Sequence, residues 1–455
     1  MRELLGETVS LCPECLCRIP AAKISEGGNI YLEKECPSHG RFKALVWRGG
    51  AEPYLAWGSH GSPAVPPLRA LGKFDRGCPY DCGLCTHHGA NTCSMIMLVT
   101  DRCNLSCPVC LADSGFSPSG DPDMKSIREM YETILQSTGT PALQLSGGEP
   151  TVREDLHNIV SLGKSMGFPH IVINSNGVRI AEDKGYLERL VKAGAGTVYL
   201  QFDGLTDRVY RYTRGLDALD LKIKAVRNCR ELNIGVVLVP TVIPRHNDDQ
   251  LGEIIAFAKE WIPTVRGVHI QPISYFGRHP EPPPDGDRLT IPDIIGNLVN
   301  QTGGEIKEED FLPRRSESSY CSFSGLFVMR SGRLQPVTKR PRGRRLPMRN
   351  ISRVPPWESA RSFMELHWQM PEDQEPASAD DLSPLEQACR EVTNQGLTIS
   401  CMPFQDVWTI DLSRLRHCCL HVATPDRNIT PFCAFYLTSA GGKRIRHAFP
   451  KAEGM

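Results

Sequence analysis

The chain has 455 residues, 52 basic and 52 acidic, so no net charge draws it to nucleic acid or to an anionic membrane. It is too long for one ordinary core, which implies several units, and its longest apolar run, at 234–243, is broken by Pro240 and too short to span a bilayer. Eighteen cysteines, grouped at gaps of two or three residues behind an N-terminus with no signal-like apolar region, point to metal ligation in the cytoplasm and away from disulfides.

Residues 1–58 read as a metal ribbon. Cys12 and Cys15, then Cys36 and His39, sit in two CP turns on either side of the strand-like NIYLEK, with 20 residues between the pairs. That spacing fits a tetrahedral, rubredoxin-like site for one zinc or iron ion, with Cys17 the alternative to His39 as fourth ligand. Residues 59–94 hold a Gly/Pro-rich connector and then GCPYDCGLC, where Cys78, Cys82 and Cys85 form a C-x3-C-x2-C triad with Cys93 within reach. The same spacing returns 25 residues later, in CNLSCPVC, as Cys103, Cys107 and Cys110.

From 95 to 285, short apolar runs at 95–100, 142–146, 170–174, 197–202, 235–242 and 267–273 alternate with helical segments such as IREMYETILQ and LGEIIAFAKEW. Six strands alternating with helices predict parallel βα units, an α/β partial (β/α)6 barrel with its ligands at the carboxyl ends of the strands. The proline-rich RHPEPPPDGD at 278–287 marks the exit. Residues 286–455 are expected to form a C-terminal substrate and auxiliary-cluster domain, with a hairpin at LFVMRSGRLQPV, a basic run at 339–349 and late cysteines. Of these, Cys321, Cys418, Cys419 and Cys433, with Cys401 also in the group, supply enough thiols for a further cluster, although the adjacent Cys418 and Cys419 point different ways in most backbones. Cys229 and Cys389 lie in helical patterns and read as core.

Position separates the two triads. Cys103, Cys107 and Cys110 follow the first barrel strand directly, so they share a mouth with Gly147, Gly148, Glu149 and Pro150, which follow the second. The earlier triad precedes the barrel and has Cys93 as a fourth thiol. A [4Fe-4S] cluster with four cysteines is closed and relays electrons, whereas one with three leaves an iron open to substrate. The second triad is therefore the expected catalytic site.

These residues resemble the radical S-adenosylmethionine superfamily. The resemblance implies a cluster whose open iron binds S-adenosylmethionine and reductively cleaves it to a 5'-deoxyadenosyl radical that attacks an unactivated C–H bond. It assigns the GGEP turn to the methionyl group, and Asn174, Ser175 and Asn176 to the ribose and carboxylate. Gln201, Asp203 and Thr241, at later strand ends, would make further cofactor or substrate contacts. An electron donor such as ferredoxin or flavodoxin is implied as partner, with no nucleic acid.

A narrower likeness runs through CPxC, YLEKxCPxHG, GCPxDCGLC and a late CCxH…PFC, which includes His421. It is similar to archaeal tetraether lipid synthase and to related radical methylases proposed for methanopterin. It implies one or two closed auxiliary [4Fe-4S] clusters, the first on Cys78, Cys82, Cys85 and Cys93. The leading expectation for the substrate is a lipid chain in a long apolar groove, with the basic run at 339–349 at its headgroup. The alternative is one-carbon transfer to a pterin or another small molecule in a closed polar pocket. A rival of another class, a zinc-ribbon binding module, is disfavoured by the neutral charge and the GGEP turn.

Overall fold

The computed structural model describes residues 2–59, 65–115, 120–279, 287–338, 354–371 and 383–445; the basic run at 339–349 and most of the proline-rich stretch lie outside them. Strands β1 (Arg2–Leu11), β2 (Arg18–Glu26), β3 (Asn29–Cys36) and β4 (Gly40–Arg48) form an antiparallel ribbon in that order. Positive-φ glycines make the hairpin turns, Gly27 and Gly28 between β2 and β3 and Gly40 between β3 and β4. The ribbon is docked on the rest of the molecule. Lys34 is buried and donates to Val407 O at 2.7 Å, and Thr8 and Lys23 both bind the Asp411 carboxylate.

The six parallel strands follow as β5 (Ser94–Thr100), β6 (Ala142–Gly147), β7 (Ile171–Ser175), β8 (Thr197–Gln201), β9 (Gly235–Val239) and, after the two-residue β10 (Thr241–Val242), β11 (Val265–Pro272). They lie side by side in chain order, as right-handed βα crossovers require. Pro240 lacks an N–H and splits the run expected at 235–242 into β9 and β10. Outward side chains such as Leu143, Ile173, Leu200 and Leu238 join the helices in one core. Inward ones from all six strands line a single cavity, so the sheet is rolled into an incomplete barrel.

Residues 286–455, read from the sequence as a separate domain, contribute directly to this sheet. After the short β12 (Leu312–Pro313), β13 (Phe323–Arg330) and β14 (Arg333–Pro336) make the expected hairpin, turning at Ser331 and Gly332 with positive φ. Strand β15 (Gly396–Cys401) runs parallel to β11, and β13 pairs antiparallel on its far side. At the opposite edge β16 (Leu420–Ala423) runs parallel to β5 and pairs antiparallel with β17 (Ile429–Pro431). Between β14 and β15 in the chain, the helix Pro356–Trp368 closes the amino end of the barrel: Thr197 Oγ1 donates to Trp368 O at 2.9 Å and Arg266 Nε to His367 O at 3.0 Å. A Cβ at Gly235 would collide with the Trp368 carbonyl, so the glycine permits the seating of this plug.

Candidate active site

Cys103, Cys107 and Cys110 lie on the loop leaving β5 and line one end of the barrel cavity, whose volume is about 260 Å³. Gly147, Gly148 and Glu149 border the same end, together with Asn174, Ser175, Asn176, Gln201 and Thr241. Pro150 and Asp203 are not part of the wall. The two glycines are needed for a reason the sequence did not give: a Cβ at Gly147 would strike Thr100 O, and one at Gly148 would strike Arg102 O. They let the turn after β6 pack on the loop that carries the cysteines.

Glu149 is fully occupied within the protein. Its carboxylate accepts from Thr151 N and Oγ1, from Ser175 Oγ at 2.8 Å and from Asn176 N at 2.6 Å. Burial pushes its pKa up and these bonds only partly offset that. Its work is to tie the ends of β6 and β7 together, while Asn176 Nδ2 donates to Asn104 Oδ1 at 2.7 Å and ties the cysteine loop to both. Asp203 is likewise a support. Fully buried, it pairs with Arg214 at 2.7 Å and accepts from Thr241 N, and Arg214 in turn donates to Val109 O, inside the cysteine loop.

Two wall residues have unspent groups: Asn174 Oδ1 and Gln201 Nε2 are buried without a hydrogen-bond partner. Their other amide atoms are engaged, Asn174 Nδ2 with Gln144 Oε1 and Gln201 Oε1 with Lys222 Nζ. Such atoms suit a bound polar ligand. Burial pushes the Cys103 thiol up to about 12, and raises Cys107 against the opposing charge of Arg214. As free thiols both would be protonated, and only a bound metal would make them thiolates. Three thiols on one loop that has no fourth cysteine, beside orphaned polar atoms, fit a cluster with one open coordination position and a polar ligand next to it.

The first triad lines a separate small recess with His87, His88 and Arg416, and Cys78 Sγ is 3.8 Å from Cys82 Sγ. Cys93 is not in that recess. It is joined to Cys419 as a disulfide, and Glu317 lies with the pair so that the three ligand atoms are within 4.8 Å of one another. Cys321, Cys418, Cys419 and Cys433 line a further small cavity with Glu317 and Arg414, whose Nη2 donates to Cys321 Sγ at 3.3 Å. Cys401 is buried in β15, away from these thiols' cavity wall. His421 is buried, with Nε2 2.9 Å from His88 Nε2 and Nδ1 2.8 Å from Thr92 Oγ1. Cys229 is core as expected, but Cys389 is exposed, on the outer face of the helix Pro384–Gln395.

In the ribbon the ligand atoms of Cys12, Cys15, Cys36 and His39 all lie within 4.8 Å of one another. Contact with His39 pulls Cys36 down to about 6, while the hydrogen bond to Cys15, 3.1 Å away, pushes Cys17 up to about 12. The geometry groups His39 with Cys12, Cys15 and Cys36, while Cys17 stands beside the group, 3.9 Å from Cys36. Changing Cys12 and Cys36 together to Ala is expected to remove a single metal ion and leave acid-labile sulfide unchanged. Metal and sulfide analysis of the purified variant checks this, and lost sulfide would contradict it.

Sequence reasoning missed Arg214, Tyr199, His269, Gln271 and the plug residues Met364 and Trp368, all on the cavity wall. A signal existed for the strand residues: Tyr199 and Gln201, and His269 and Gln271, alternate on the inward face of otherwise apolar strands.

The family model described as Radical SAM superfamily matches residues 97–258, and that described as HMPTM N-terminal zinc ribbon domain matches residues 4–48. Over 477 aligned residues the chain is 37% identical to the 7,8-dihydro-6-hydroxymethylpterin dimethyltransferase of Methanocaldococcus jannaschii, covering 94% of this chain and 93% of that protein. A probable GTP 3',8-cyclase of Methanothermobacter thermautotrophicus is 29% identical over 174 residues, 38% of this chain and 56% of its own length. Among solved structures, Streptococcus suis SuiB bound to its precursor peptide SuiA gives a TM-score of 0.40 at 16% identity, over 48% of this chain and 47% of that one.

Proposed function

The chain belongs to the radical SAM superfamily, and on that premise we propose that it adds one-carbon units to a pterin-like substrate. It is an enzyme with a catalytic [4Fe-4S] cluster, S-adenosylmethionine, auxiliary metal centres and a ribbon that holds zinc or iron. Cys103, Cys107 and Cys110 would hold that cluster, which, with an electron from a donor such as ferredoxin or flavodoxin, would supply the reductive cleavage of S-adenosylmethionine to a radical able to take hydrogen from an unactivated carbon.

The observation that carries the substrate reading is the cavity. Its volume, about 260 Å³, is at or below the small end of ligand pockets, roughly 300–1,000 Å³, and the plug helix closes its far end with Met364 and Trp368. Gln144, Asn174, Tyr199, Gln201, His269 and Gln271 converge on it. A long acyl chain needs an open apolar channel; a flat, polar heterocycle needs convergent hydrogen-bonding groups like these. The name of the 37% identical relative points the same way. One-carbon transfer to a small molecule, the alternative at the sequence level, thus has better support than chain coupling on a lipid, and the proposed headgroup segment lies outside the described residues.

The chain's own contribution is positional. Glu149 and the Asn176–Asn104 bond fix the cysteine loop against β6 and β7, Asp203 and Arg214 fix it from β8, and the walls exclude water from the reacting carbon. Incubated without oxygen with 7,8-dihydro-6-hydroxymethylpterin, S-adenosylmethionine, a reductant and a one-carbon donor, the protein is expected to return a pterin heavier by one or more methyl groups. A lipid that gains mass while the pterin does not would restore the lipid reading.

A further inference from the structure

The cavity wall has a cation with nothing to bind. Three arginines reach the wall. Arg214 is paired with Asp203, and Arg278 with Asp113 and with the carbonyls of Cys107 and Ser114. Arg314, just after β12, makes no ion pair and no hydrogen bond among the described residues. Its charge falls on two buried groups of the same wall, Tyr199 and His269, whose rings are 5.6 Å apart.

His269 is held in place. Its Nδ1 is 2.8 Å from Ser400 Oγ, across the β11–β15 pairing, which leaves Nε2 for a ligand. Burial first, and Arg314 second, hold His269 down to about 3, so it is a neutral imidazole near neutral pH. Beyond it, Tyr199 packs against Trp368 of the plug at 5.5 Å, which gives an aromatic flank beside the polar groups. Apolar flank, neutral imidazole, phenol and unspent guanidinium thus line one cavity. The three cysteines line it too, at the carboxyl ends of the strands.

We propose that Arg314, His269 and Tyr199 form the subsite that recognises the carbonyl edge of the heterocycle and so sets which carbon faces the cysteine triad. The planar guanidinium donates two parallel N–H bonds, a match for the ring carbonyl oxygen and the unprotonated imine nitrogen across the ring junction from it, the two adjacent acceptors of a 7,8-dihydropterin. The imidazole and the phenol complete the hydrogen bonds of the polar rim, and Trp368 flanks the ring plane. The assignment rests on the pterin reading above and adds to it the residues that select the ring.

The test is calorimetric titration of 7,8-dihydro-6-hydroxymethylpterin into the anaerobic, cluster-loaded full chain with S-adenosylmethionine present. Arg314→Ala is expected to weaken binding about ten-fold or more, with Arg314→Lys recovering only part, because an ammonium keeps the charge and loses the fork. His269→Ala should weaken it as well. Iron content and S-adenosylmethionine affinity should match wild type, since Arg314 supports no other residue and its loss leaves no orphaned partner. Pterin affinity within two-fold of wild type in Arg314→Ala and His269→Ala overturns the subsite and leaves the pterin reading standing. A wild-type protein that does not bind the pterin overturns both.

Discussion

Replacing Cys103, Cys107 and Cys110 together by Ala is expected to abolish reductive cleavage of S-adenosylmethionine while most of the iron stays bound. Of the thiol groups, only this one follows a barrel strand directly and faces the cavity beside the turn after β6. The thiols of the earlier triad and the late group border other recesses, so their metal should be retained. Iron analysis and detection of 5'-deoxyadenosine after chemical reduction check both halves. The converse variant, with Cys78, Cys82 and Cys85 changed, should keep measurable cleavage. If it is the one that loses cleavage while the second triad proves dispensable, the catalytic assignment is wrong.

Asp203→Asn should be the most destabilising single change at the site, at about 3–5 kcal/mol, because it leaves a buried Arg214 without its counter-charge. Burial alone would raise the Asp203 pKa. Arg214, with the bond from Thr241 N, outweighs burial and holds it below the usual carboxylate range. A carboxyl whose folded pKa is depressed stabilises the fold above its unfolded pKa and loses that contribution as pH falls through the folded value. Wild type should therefore lose stability in acid at this site, and Asp203→Asn should be weaker at neutral pH with a flatter acid limb. The damage should also reach the chemistry, since Arg214 binds Val109 O between Cys107 and Cys110. Thermal unfolding of both proteins across pH measures it; equal melting at neutral pH would contradict the pairing argument.

Much of the central architecture was legible because its signals are local. Short continuous apolar runs separated by helical segments located six parallel strands to within a few residues, and triad spacing together with the GGEP turn pointed to the open mouth. What was missed depends on partners far away in the chain. Ser94 pairs with Leu420 and His269 with Ser400, and no local pattern says that a short apolar run near the C-terminus will extend a sheet begun hundreds of residues earlier. The same distance hid the placement of Cys93. Read with the neighbouring triad, it lies across the sheet edge from Cys419, which β16 brings alongside β5. The GGEP resemblance assigns Glu149 to the cofactor, and Asp203 is assigned by its place at a strand end. Their carboxylates are spent on backbone and side-chain donors, and only the hydrogen-bond partners reveal that.

The most direct measurement follows hydrogen. With 7,8-dihydro-6-hydroxymethylpterin deuterated at its carbon-bound positions, the reduced enzyme and S-adenosylmethionine, the 5'-deoxyadenosine released should carry deuterium, whether or not the one-carbon donor is present. That result would place a pterin carbon against the cofactor inside the plugged cavity. Continued cleavage of S-adenosylmethionine that yields only unlabelled 5'-deoxyadenosine, with deuterium appearing instead from a labelled lipid, would contradict it.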